Sequence, residues 1–94
     1  MSKFIADEPR VATKEPRYEL HLVGVRGERK LLASGITKRD LAYTMREWVK
    51  ISYPFLVGTP FRYWDAEDGL TIDFGTSHYF QVPGLTVAEY IKNN

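Results

Sequence analysis

The chain has 94 residues, 13 Lys+Arg against 12 Asp+Glu, no cysteine, and 2 Trp, 6 Tyr and 5 Phe, which suits one domain with a single core. An apolar fraction of 44% lies far from the composition of a disordered chain. The missing cysteines exclude disulfides, thiol nucleophiles and thiolate zinc sites. They fit a cytoplasmic setting, as does the absence of an 18-residue apolar run or a secretory-type N-terminus.

Residues 1–17 contain Pro9 and Pro16, alternate in charge and follow neither the helix nor the strand period. The expectation is a flexible arm ahead of one α+β domain over residues 18–94. From Tyr18 the pattern alternates: Tyr18, Leu20 and Leu22 share one face and Glu19 and His21 the other, as in a half-buried strand. A turn at Arg26, Gly27 and Glu28 leads to a second strand over residues 29–33, which Ser34 and Gly35 are expected to end.

Thr37 begins the clearest start signal in the chain. Its hydroxyl can cap the first amides of a helix, Asp40 stands at the reciprocal position, and Ile36 and Leu41 occupy the two places of a hydrophobic staple. At about 100° per residue, Leu41, Met45, Trp48, Val49 and Ser52 fall on one side, and Arg39, Tyr43, Arg46 and Lys50 on the other. Pro54 ends the helix.

Residues 53–61 are nearly all apolar but are broken by Pro54, Gly58 and Pro60, which predicts an ordered apolar loop. Beyond it come a strand over residues 61–64, a turn over 65–69 and a strand with Leu70, Ile72 and Phe74 inward. Another strand is expected over residues 79–82. Pro83 and Gly84 break the pattern, and Thr86 with Glu89 repeats the capping signature for a final helix of about two turns that packs Val87, Tyr90 and Ile91. The predicted fold is an antiparallel sheet of about five strands packed on one long amphipathic helix, with a short C-terminal helix. Strand order is not encoded in these patterns.

Motifs for chemistry are weak. Ser77, His78 and Asp73 supply the residue types of a nucleophile triad, but no nucleophile elbow accompanies them, and neighbouring strand residues point to opposite faces. Asp65, Glu67 and Asp68 lack the length and closing Glu of a calcium loop and read as an acidic turn. His21 and Glu19 make only two metal ligands, and Gly24 to Gly27 lacks the spacing and the Lys of a phosphate loop. No metal, cofactor or membrane partner is therefore expected.

Two surfaces remain. Residues 24–50 carry seven basic and three acidic side chains, a net +4, whereas residues 51–94 carry two basic and five acidic ones, a net −3. Arg26, Arg29 and Lys30 on the first hairpin, with Arg39, Tyr43, Arg46 and Lys50 on the helix, form a candidate face for nucleic acid or an acidic partner. Tyr53, Phe55, Leu56 and Phe61 form a candidate protein interface or dimer seam, or else close the core. The leading expectation is a small non-enzymatic interaction or regulatory protein, of the size and composition of a virus-encoded accessory protein or inhibitor, that binds another protein and self-associates. A nucleic-acid-binding module is the alternative, and a small enzyme or ligand-binding domain the third.

Overall fold

The computed structural model describes residues 15–92. It is an α+β domain with elements β1 (Arg17–Val23), β2 (Arg29–Thr37), α1 (Lys38–Ser52), β3 (Arg62–Ala66), β4 (Gly69–Asp73), β5 (Tyr79–Val82) and α2 (Val87–Ile91). A 3-10 turn, Pro54–Leu56, follows α1. Most of the arm expected over residues 1–17 lies outside the described residues, and its last residue, Arg17, opens β1.

All neighbouring strands are antiparallel, in the order β2-β1-β5-β4-β3. Leu20, Leu70, Ile72, Phe74, Phe80 and Val82 face α1, which contributes Leu41, Met45 and Val49 to the same buried cluster. Burying each such side chain fully contributes about 1.5–3 kcal/mol. Trp48 ties helix to sheet, with its ring centroid 5.7 Å from Phe74 and 5.6 Å from Phe80, both edge-on.

The capping hydroxyls are in place. The Asp40 amide donates to Thr37 Oγ1 at 3.4 Å, and the Glu89 amide donates to Thr86 Oγ1 at 3.1 Å. Lys38 Nζ donates to the Glu89 carbonyl oxygen at 2.8 Å and to the Lys92 carbonyl oxygen at 3.4 Å, so the first residue of α1 holds the far end of α2. That anchor offsets the shortness of α2, which has five residues rather than two full turns.

Several expectations need correction. Ser34 and Gly35 do not end β2, which runs to Thr37. Two register irregularities let it carry two more residues than β1 along the same pairing, and Gly35, with φ +66°, takes the left-handed conformation that a bulge uses. The strand begun at residue 61 instead spans Arg62–Ala66, which shortens the turn to Glu67 and Asp68. Ser52 and Ile91 were expected against the core but are exposed, because α1 and α2 end there and carry them past the sheet.

Candidate functional site

The site lies where α1 stops. Pro54 cannot extend the helix, and the chain after it winds through tight turns: the Tyr53 amide donates to the Val49 carbonyl at 2.7 Å, Leu56 to Tyr53 at 2.8 Å and Thr59 to Leu56 at 2.9 Å. The apolar segment is thus ordered by its own backbone. Its side chains divide. Tyr53 turns inward to Phe74, with centroids 5.7 Å apart, and Leu56 and Phe61 pack against the core, Phe61 lying 6.3 Å from Phe80. Phe55 turns outward and is 79% exposed, with Ile51 at 78% and Val57 at 62% beside it in sequence. Of Tyr53, Phe55, Leu56 and Phe61, three close the core, and Phe55 stays exposed with its ring edge-on to Tyr53 at 6.1 Å.

Beside this loop a cleft of about 340 Å³ opens between α1 and β3. Val49, Leu56, Phe61 and Tyr63 give it apolar walls, and Arg46 and Lys50 stand one helical turn apart on its rim. Neither cation forms an ion pair among the described residues. Glu47 is the one carboxylate on the lining, so positive charge predominates.

The other predicted cations are dispersed. Arg39 reaches both carboxylate oxygens of Glu15 at 3.3 Å, and Tyr43 is 68% exposed on the same side of α1. Arg26 and Lys30 are exposed on the first hairpin. Arg29 pairs with Val23, which pairs with Tyr79, a row on the sheet face turned away from the core residues Leu22 and Phe80. There its guanidinium donates to Gln81 Oε1 at 2.5 Å and to Asp68 Oδ2 at 3.3 Å. Arg29 is therefore not part of the surface that α1 presents.

That second sheet face, where alternation set Glu19 and His21, also holds a buried polar pair that the sequence pattern does not reveal. Trp64, Thr71, Gln81, His21 and Leu31 form one row across all five strands. Thr71 and Gln81 are only 2% and 3% exposed, and Gln81 Nε2 donates to Thr71 Oγ1 at 3.2 Å. Their polar groups are satisfied within the row, as burial requires. His21 Nε2 lies 3.0 Å from Glu19 Oε1, the pairing that alternation placed on one face.

The catalytic and metal candidates have other roles. Asp73 accepts from the Gly75 amide at 2.9 Å and from Arg62 at 2.6 Å, and these contacts hold its carboxyl below the usual value of 3.8. His78 instead donates its backbone N–H to Thr76 Oγ1, forming a turn rather than a relay. Asp65 Oδ1 accepts from the Val87 amide at 2.8 Å, and Asp68 receives Arg29. Among the described residues no three His, Asp or Glu side chains form a metal-binding group. In the Gly24 to Gly27 turn, Glu28 Oε1 accepts from the Arg26 amide at 3.0 Å, occupying the place an anion would need.

These features define a small α+β domain with a one-sided sheet and a cationic, apolar-walled cleft at the end of its long helix. The chain matches no protein-family model, no curated protein and no solved structure. No helix among the described residues is long and apolar enough to cross a membrane.

Proposed function

We propose that this is a non-enzymatic interaction protein of the accessory or regulatory type, which binds another protein through the cleft and the apolar end of α1. The observation that carries the reading is the conjunction of exposed Phe55 and Val57 with a cleft rimmed by Arg46 and Lys50. Large apolar side chains left in water beside a pocket are the usual anchors of protein interfaces. A partner segment with one large apolar residue and a neighbouring carboxylate matches this surface: the apolar group enters over Phe61 and Tyr63, and the anion meets the two cations. The working setting in this proposal is the cytoplasm, which a cysteine-free chain fits.

The test is affinity capture from the native host with wild-type protein, Phe55→Asp, and the double variant Arg46→Glu with Lys50→Glu. Loss of a captured protein in both variants, with unchanged far-ultraviolet circular dichroism, is the expected result. Capture that survives both substitutions removes the cleft from consideration. Nuclease-sensitive material whose binding weakens steeply with salt would favour the nucleic-acid reading instead.

A further inference from the structure

We infer that the protein pairs with a second copy of itself through β3, edge to edge and antiparallel about Trp64, joining two five-stranded sheets into one. Self-association was expected through the apolar loop, but the sheet edge is better built for it. The two edges, β2 and β3, differ. β2 is interrupted by two register irregularities and carries exposed Arg29 and Lys30, devices that blunt an edge against pairing. β3 pairs with β4 regularly over all five residues, contains neither Pro nor Lys, and exposes every residue except Tyr63. Its central Trp64 is 45% exposed.

Direction and register follow from the hairpin. With Glu67 and Asp68 as the turn, Ala66 and Gly69 are its closing pair, which exchanges both backbone bonds. By alternation Arg62 and Trp64 also bond toward β4, and Tyr63 and Asp65 direct their N–H and C=O groups to the open side. The Asp65 carboxylate accepts from the Val87 amide rather than turning onto this backbone. Antiparallel pairing about Trp64 sets Tyr63 of each copy against Asp65 of the other, giving four backbone hydrogen bonds.

Trp64 then faces its own counterpart in a non-hydrogen-bonded pair, with Cα atoms about 4.5 Å apart, the position where side chains come closest. Arg62, held over the same face by Asp73, comes opposite Ala66 and beside Glu67 of the second copy. Moving the centre to Asp65 would oppose two carboxylates, and moving it to Tyr63 would run the pairing off the strand at Phe61. A five-residue edge buries less than a standard interface, so the dimer is weak and concentration-dependent.

Sedimentation of the full chain from about 10 µM to 1 mM tests this, a range suited to weak association. The wild-type mass should rise toward that of a dimer, and Trp64→Lys should stay monomeric with an unchanged far-ultraviolet spectrum. Ala66→Glu, facing Arg62, should tighten association several-fold and Ala66→Lys should weaken it, a pair of variants that decides the matter even if Trp64→Lys unfolds. Because the chain has no cysteine, a Trp64→Cys variant has one thiol and should cross-link on oxidation, whereas Ile51→Cys, at a more exposed position, should not. The inference is overturned by a wild type that remains monomeric, by equal effects of the two Ala66 variants, by cross-linking of Ile51→Cys as readily as Trp64→Cys, or by a dimer that Phe55→Asp abolishes and Trp64→Lys leaves intact.

Discussion

Replacing Gly69 with alanine should be one of the most damaging small changes in the domain. Gly69 opens β4 with φ +124°, outside the range a side-chain-bearing residue adopts without strain. That strain costs about 1–3 kcal/mol. An added Cβ would also overlap the Val82 carbonyl oxygen and come within 2.8 Å of Pro83 Cα, both backbone atoms that cannot rotate away. Overpacking of this kind costs a further 1–3 kcal/mol or so, for a total of about 2–6 kcal/mol. A domain of this length has about 5–14 kcal/mol in all. Gly35 is the control, since its φ of +66° is one alanine can reach and an added Cβ meets nothing within 4 Å. Its replacement should cost about 1–2 kcal/mol. Urea and thermal unfolding followed by tryptophan fluorescence compare them: Gly69→Ala should lower the Tm by about 10–30 °C and Gly35→Ala by about 5–10 °C. A loss at Gly69 no larger than that at Gly35 would refute the close approach of β4 to the chain leaving β5.

Two titrations follow from the same geometry. The Asp73 carboxyl is held low, first by the Gly75 amide and then by Arg62, so its contribution to stability is present above the unfolded value near 3.8 and is lost as pH falls through the folded one. The Tm gap between wild type and Asp73→Asn should therefore narrow below pH 4, while Arg62→Gln should flatten the wild-type acid slope without removing it; a gap constant from pH 6 to pH 2 would contradict this. Tyr90, half-buried beside Tyr63, has its phenol pushed up from 10.0 to about 12 by desolvation. It favours the folded state below pH 10 and loses that effect as pH rises from 10 to 12, so alkaline absorbance titration should show a late tyrosine that Tyr90→Phe removes, and an unchanged late phase would count against the burial.

Signals confined to a few neighbouring residues were readable from sequence. The caps at Thr37 and Thr86 and the inward run of Leu70, Ile72 and Phe74 depend on spacing alone, and each is present in the fold. The end of β2 was not readable, because a glycine that terminates a strand and one that sits in a bulge have the same neighbours. What distinguishes Gly35 is the guanidinium of Arg17, 18 residues away, donating to its carbonyl oxygen at 3.0 Å. The burial of Gln81 was hidden for the same reason, since its cover, Arg29, is 52 residues distant. Beside the cleft, Phe55 and Leu56 are adjacent and point opposite ways on a single 3-10 turn, too short for any hydrophobic period to separate them. The gathering of Arg46 and Lys50 with Phe61 and Tyr63 depends on how the loop folds back, which composition does not encode.

The placement of β5 has a kinetic consequence. Two units, the hairpin of β1 with β2 and the meander of β3, β4 and β5, can each close locally, but the sheet becomes continuous only when β5 pairs with β1. Pairing His21 with Gln81 brings together residues far apart in the chain, and the entropy lost in closing that loop precedes any gain from the contacts. That one seam of β1 with β5 therefore joins two otherwise separable halves, so its closure should set the folding rate and make unfolding all-or-none.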